Sequence, residues 1–267
     1  MAYFKYLIYG LIQGFTEFLP ISSTAHLKVL SYFFGIDDPG SSLSAILQLG
    51  SVFAILFYFR KDIINSINSG NNNYKHSIIS SRIIKSLLIG SASILFLGGI
   101  IKIFVPYFSD SILRTNFSIA AMSILMAILM LIADKSKQKQ ITLRNHKLLD
   151  SLKIGLGQAL AIVPGVSRSG ITISIALLLG WEKKEAAKFS FLLGLPAISI
   201  AAIVEILDSL NSNANILFGP LLLALITTFI VSLFSIDFLL KILPLNGLKI
   251  FALYRIIFGT IILVSYF

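Results

Sequence analysis

The chain has 267 residues, 56% of them hydrophobic and only 13% charged, with 22 Lys and Arg against 12 Asp and Glu. A soluble domain carries about a quarter charged residues, so this composition excludes an ordinary soluble protein and reads as a polytopic membrane protein. The absence of cysteine excludes disulfides, thiolate metal sites and a cysteine nucleophile, and the formal charge of +10 is read as basic cytoplasmic loops rather than a nucleic-acid surface.

Along the chain, "MAYFKYLIYG" shows no small-residue cleavage site and leads directly into the first segment. Residues 3–34 are apolar but interrupted by Glu17, Pro20 and "SSTAH", which predicts two half-length helices around a break. Spans are predicted at 43–59, 83–104 and 116–133, with polar linkers "SGNNNYKHS" at 69–77 and "DKSKQKQITLRNHK" at 134–147. Residues 151–180 are interrupted by "PGVSRSG" and predict a second pair of half-helices. Further spans follow at 186–207, 217–240 and 248–267. A helix needs about 20 residues to cross about 30 Å of hydrocarbon, and the spans lack the alternation of barrel strands. Broken backbone is tolerated at membrane depth only inside protein or along a wet cavity. Both interrupted regions are therefore read as re-entrant hairpins, with kinked spanning helices as the alternative.

The two interrupted regions resemble each other. "GLIQGFTEFLPISSTAHL" starts at Gly10 and "GLGQALAIVPGVSRSGIT" at Gly155; Gly35 and Gly180 follow at the same separation, and each region precedes three spans. With the N-terminus outside and the first hairpin returning outside, three spans leave the second hairpin opening from the cytoplasm. Cytoplasmic segments 60–85, 134–153, 181–188 and 241–249 then hold sixteen of the 22 basic residues, while 105–115 and 208–216 contribute only Arg114. That asymmetry favours an inverted repeat. The expected fold is an all-α integral membrane protein, an inverted-topology repeat of six transmembrane helices plus two re-entrant helical hairpins. Residues 1–134 form the first repeat and 135–267 the second, in one membrane domain.

The first break carries a carboxylate, hydroxyls and an imidazole. Gln13 and Glu17 share a helix face, and a carboxylate in a membrane segment is a functional candidate by default; pairing with Arg168, Arg255 or a backbone amide is its structural alternative. After Pro20 come Ser22, Ser23, Thr24 and His26. On a helix, Ser22 and Ser23 lie four and three residues from His26, a nucleophile–base spacing, although N-capping by either serine fits equally. The second break offers Gly165 and Gly170 for close backbone approach, hydroxyls at Ser167, Ser169 and Thr172, and Arg168, whose planar charge suits phosphate oxygens. The helix that follows presents free amides to an anion. Brought together, the two breaks would bind a phosphate, and Glu17 would hold a divalent metal, Mg²⁺ or Ca²⁺.

"QGFTEFLPISSTAHL" and "PGVSRSGIT" resemble the two signature motifs of the bacitracin-resistance type of undecaprenyl-pyrophosphate phosphatase, and "ILQLGS" at 46–51 and "FSFLLGLPA" at 189–197 resemble further family segments. The resemblance implies a multi-pass enzyme of the bacterial inner membrane whose site opens to the periplasmic side. It would hydrolyse undecaprenyl diphosphate to the monophosphate, the carrier lipid for peptidoglycan. It implies that Glu17 is the essential glutamate, Ser23 the nucleophile, His26 its acid–base partner, and Ser167, Arg168, Ser169 and Thr172 the phosphate-binding segment. Gln13 stands where other members have glutamate. The expected partners are the polyprenyl diphosphate and membrane lipids; the reading admits a homodimer and no nucleic acid. A lipid flippase or transporter on the same inverted-repeat site is the alternative. Gln48 is read as reaching the cavity or bonding a neighbouring helix. Glu205, Asp237 and Arg255 are read as structural, His76 and His146 as solvated, and Trp181 as an interfacial anchor.

Overall fold

A computed structural model describes residues 1–68, 81–104, 112–137, 139–211 and 217–266. The linker at 69–77 with His76, and parts of the 105–115 and 208–216 loops, lie outside the described residues. The described chain forms eleven α-helices: α1 Ala2–Thr16, α2 Ser23–Phe34, α3 Gly40–Tyr58, α4 Arg60–Asn68, α5 Ser81–Phe104, α6 Asn116–Asp134, α7 Leu148–Ala159, α8 Arg168–Leu179, α9 Lys183–Asn211, α10 Phe218–Asn246 and α11 Lys249–Tyr266. Among the described residues, α3, α5, α6, α9 and α10 are long and apolar enough to cross a membrane. The chain is thus an all-helical multi-pass protein. The six predicted spans coincide with α3, α5, α6, α9, α10 and α11 to within a few residues at most ends, although α11, which carries Lys249 and Arg255, is not among those five. The short amphipathic α4, continuing α3 beyond Phe59, was not foreseen.

The interrupted regions fold as two helix–break–helix units. Their helices have only 15, 12, 12 and 12 residues, too few to cross singly. Both units return to where they began. The Tyr9 hydroxyl donates to the Asp37 carbonyl at 2.6 Å, and Lys5 pairs with Asp37 at 2.5 Å. The end of α8 meets the segment ahead of α7: Lys139 N–H donates to Gly180 O at 2.8 Å and Glu182 N–H to Ile141 O at 2.9 Å. Gly35 and Gly180 close α2 and α8 in the left-handed conformation, at φ 63° and 98°, where a side chain would be strained.

Neighbours are exchanged between the halves: α1 packs along α10, and α7 along α5. In lipid, helix association rests on close backbone approach and interhelical hydrogen bonds rather than on water exclusion. A methyl group added at Gly10 would lie 2.6 Å from the Ala224 carbonyl, and one at Gly14 would lie 2.8 Å from that of Thr228. Thr228 Oγ1 donates to Gly10 O at 3.3 Å. At the equivalent crossing, a methyl on Gly155 would overlap the backbone of Gly90. Gly155→Ala is therefore expected to destabilise the folded protein by about 1–3 kcal/mol or more through overpacking. Gly99→Ala, on the same α5 but facing open space, is expected to be neutral or stabilising. Melting curves in detergent test this; equal midpoints for the two variants would remove the crossing from the account of stability.

The largest buried cluster gathers Phe18, Leu19 and Ile21 of the first break against Phe189, Phe191 and Leu193 of α9, with Phe18 and Phe191 edge to face at 5.0 Å. His146 and Trp181 depart from expectation: both are fully buried. His146 bonds the Leu143 carbonyl at 3.0 Å and the Ser86 hydroxyl at 2.7 Å, and Trp181 and Phe189 cover its ring. Burial pushes this imidazole below its usual pKa.

Candidate active site

Each break is built around a strained serine. After α1, Glu17 still donates its N–H to Gln13 O at 3.0 Å. Pro20 then precedes a turn in which Ser22 adopts φ 76°, ψ 101°, and its hydroxyl accepts from Ala25 N–H to cap α2. The second break passes through a 3₁₀ turn at Leu160–Ile162 and Gly165 at φ 93°. Ser167 there adopts φ 72°, ψ 111° and caps α8 by accepting from Gly170 N–H at 3.2 Å. Positive φ is unfavourable for a non-glycine residue, and such strain concentrates at ligand sites. The two serines carry the same strain at equivalent positions.

Between the breaks lies a chamber of about 160 Å³. One water needs roughly 10–15 Å³ of such space, so the chamber exceeds what a single water or ion would fill. The first break lines it with Glu17, Ser22, Ser23 and Thr24, and the second with Gly165, Ser167 and Arg168. The N-termini of α2 and α8 therefore both meet it, bringing free amides and the positive end of each dipole. Ile94, Ala161, Val163, Ala197, Ile198 and Ala201 make an apolar wall.

One hydrogen-bonded group joins the two breaks. Arg168 Nη2 pairs with Glu17 Oε1 at 3.2 Å. Glu17 Oε2 accepts from Ser23 Oγ at 2.9 Å and from Gln13 Nε2 at 2.7 Å. Arg168 Nη1 donates to the Ser190 carbonyl at 3.2 Å, while its buried Nε has no partner. Gly194 leaves the space that this guanidinium occupies. Behind it, Thr172 Oγ1 donates to the Arg168 carbonyl at 2.8 Å and meets Ser190 Oγ at 2.6 Å. Ser169 Oγ donates to the Leu19 carbonyl at 3.0 Å, and Gly170 serves the Ser167 cap.

The structure does not bring His26 to Ser23. His26 Nδ1 bonds the Ser22 carbonyl at 2.7 Å and Nε2 meets the Tyr254 hydroxyl at 2.7 Å. The ring stacks on Phe258 at 4.4 Å, and faces a separate apolar groove on the other side of the first break. Conversely, Gln48 of α3 lines the chamber. A single amide in a largely apolar stretch, and the likeness of "ILQLGS" to a family segment, are its signals in the sequence.

The donor set admits a metal only in part. Among the described residues, no group of three or more His, Asp or Glu could hold one, and both oxygens of Glu17 are engaged. Gln13 Oε1, however, is buried without a partner beside that carboxylate. Glu17 and Gln13 Oε1 fit a hard ion whose shell a phosphate would complete.

Fold and site define a multi-pass helical membrane protein with a polar chamber, lined by Glu17 and Arg168, between two broken helices. The chain belongs to the bacitracin resistance protein BacA family, which it matches over residues 6–261. It is 58% identical over 265 residues to an undecaprenyl-diphosphatase of Prochlorococcus marinus strain MIT 9215, covering 99% of this chain and all of that one. It is 59% identical over 263 residues to the undecaprenyl-diphosphatase of strain MIT 9312, covering 98% of each. Identity is 42% over 265 residues to that of strain SARG, covering 98% of this chain and 92% of the relative.

Proposed function

We propose that this protein is an enzyme that hydrolyses undecaprenyl diphosphate to undecaprenyl phosphate and inorganic phosphate, recycling the carrier lipid for cell-wall synthesis. The observation that carries the chemistry is the Ser23 hydroxyl held on Glu17 at 2.9 Å, in a chamber where Arg168 Nε is unpaired. The diphosphate binds against Arg168 and the amides of the α2 and α8 N-termini, with Ser22, Thr24, Gly165 and Ser167 around it. The apolar wall receives the first isoprene units. Ser23 Oγ attacks the terminal phosphorus, its proton passes to Glu17, and the bond to the bridging oxygen breaks, so that undecaprenyl phosphate leaves. Water then cleaves the serine phosphate, releasing inorganic phosphate and restoring the hydroxyl. His26 holds the first turn of α2 through the Ser22 carbonyl. Mg²⁺ or Ca²⁺ held by Glu17 and Gln13 Oε1 would supply charge neutralisation for the phosphate oxygens.

The test is phosphate release by the purified protein from a prenyl diphosphate, with and without chelator. Release that stops on chelation and returns with Mg²⁺ or Ca²⁺ is expected. No release under any metal condition would refute the hydrolase, whereas full release from metal-free protein would remove the metal alone. The Ser23–Glu17 contact serves bond cleavage and has no use in transport.

The two helix–break–helix units are re-entrant hairpins of an inverted repeat, 1–134 and 135–267, with six spans in the bacterial plasma membrane and a chamber opening to the outer, periplasmic side. The paired strained serines, the paired C-terminal glycines and the exchanged helix partners support this reading, as does the basic asymmetry of the loops. Because the chain lacks cysteine, single introduced cysteines can be labelled cleanly. An impermeant reagent applied to intact cells is expected to label position 37 and spare position 140. The reverse pattern would invert the orientation.

A further inference from the structure

Arg255 of α11 is fully buried, yet makes no ion pair among the described residues. Every hydrogen bond it donates goes to a backbone carbonyl. Nη1 reaches Pro20 O at 3.3 Å, and Nη2 reaches Gly165 O at 2.5 Å and Met122 O at 3.3 Å, while Nε reaches Ser123 O at 3.2 Å. One guanidinium thereby joins the first break, the second break and α6.

The choice of carbonyls is specific. Pro20 and Gly165 are equivalent positions of the two units, each two residues ahead of a strained serine cap, Ser22 or Ser167. Carbonyls in a break have lost their helical partners, and in hydrocarbon they must find others. Two hydroxyls, one per break, would meet that need separately. A single arginine meets it jointly and so fixes the spacing between the breaks. A lysine could not, because its ammonium lacks the planar fork that reaches several acceptors at once. A buried arginine is also costly unless its charge has a use. With no carboxylate beside it, its field adds to that of the two helix N-termini in a low-dielectric interior.

We propose that Arg255 is a positioning residue for the phosphate site. It clamps the two breaks at the separation at which the α2 and α8 N-termini and Arg168 grip one anion, and it places an uncompensated positive charge behind them. The clamp deepens the hydrolase reading and rests on it for its purpose, but its geometry can be tested without turnover. Two spin labels at Phe34→Cys and Leu178→Cys, exposed sites at the far ends of α2 and α8, report the spacing of the two units. The absence of native cysteine makes that labelling unambiguous.

In the labelled parent one narrow distance distribution is expected. Arg255→Lys should broaden or shift it while the protein stays folded and monodisperse. In unlabelled protein, the same change should lower kcat by about 10²-fold, the scale of an ångström-level misplacement, with a smaller rise in KM. Gly165→Ala offers a second route, since a methyl there would press on Ile119 and Met122 at 3.0–3.1 Å and displace the carbonyl while leaving Arg255 intact. It should broaden the distribution too, and it decides the matter if Arg255→Lys does not fold. An unchanged distribution in folded variants, or activity lost only in proportion to unfolded protein, overturns the clamp. If the parent releases no phosphate but the distribution still broadens, the clamp stands and the hydrolase reading falls.

Discussion

Arg168→Ala is expected to abolish measurable turnover and to weaken diphosphate binding together. Phosphoryl transfer passes through a loose transition state with charge spread over the phosphoryl oxygens, so most of the catalysis is electrostatic. Removing one preorganised donor typically costs about 10²–10³ in rate, and Arg168 is a charged donor held in place by Ser190 and Gly194. A second consequence is structural. Glu17 would be left buried without its cation, which costs about 3–5 kcal/mol for a broken buried pair. Adding Glu17→Gln to Arg168→Ala should therefore recover much of the lost stability without recovering activity. Arg168→Lys should stay defective, because an ammonium cannot hold Glu17, the Ser190 carbonyl and phosphate with one plane. Isothermal binding of a non-hydrolysable prenyl diphosphate analogue, beside melting curves, separates these effects. Normal analogue affinity in Arg168→Ala would show that the second break is not the phosphate cradle.

Ser23→Ala is expected to lower kcat by at least about 10²–10⁴, since both the nucleophile and its contact with the general base are lost. KM should change little, because the neighbouring amides and Arg168 are untouched. Glu17→Gln should fall as far, for it removes the acceptor of the Ser23 proton. His26→Phe, which keeps the stack on Phe258, should cost much less. The decisive measurement is a rapid quench of the parent, Glu17→Gln and His26→Phe with labelled substrate, looking for phosphoserine at position 23, with Ser23→Ala as the control that cannot form it. Near-normal turnover in Ser23→Ala would replace the serine with a direct attack by water. A loss in His26→Phe as large as in Ser23→Ala would return the imidazole to the reaction.

Much of this architecture is legible in the amino-acid order because lipid imposes two simple requirements. A span needs a long apolar run, so α3, α5, α6, α9 and α10 appear at the predicted places. A polar break needs a partner, so the sequence offers Arg168, Arg255 or a backbone amide to Glu17, and the fold selects Arg168. The pairing within the site was less legible. Helical spacing puts Ser23 and His26 on neighbouring positions, but the positive φ of Ser22 sets how α2 starts, and Tyr254 and Phe258, far along the chain, draw the imidazole to the opposite side. His146 looks solvated in a polar linker because nothing local reveals that Ser86, Trp181 and Phe189 will close over it. Arg255 reads as a packing residue for the same reason: its acceptors are carbonyls, which carry no signature in the sequence.

The bond between Arg168 and Glu17 has a consequence for timing. In the free protein the cation spends part of its capacity on the carboxylate that also accepts from the Ser23 hydroxyl. An arriving phosphate would compete for that cation, so substrate entry would be in part an exchange of partners rather than only an addition to an empty seat. Arg168 bonds Glu17 Oε1 while Ser23 and Gln13 bond Oε2, so a guanidinium drawn toward the new anion would leave the Ser23 contact in place. Under the proposed chemistry, the ligand able to draw that cation would be the one whose terminal phosphorus Ser23 attacks. A chamber built this way stays quiescent toward neutral lipids that drift against its apolar wall.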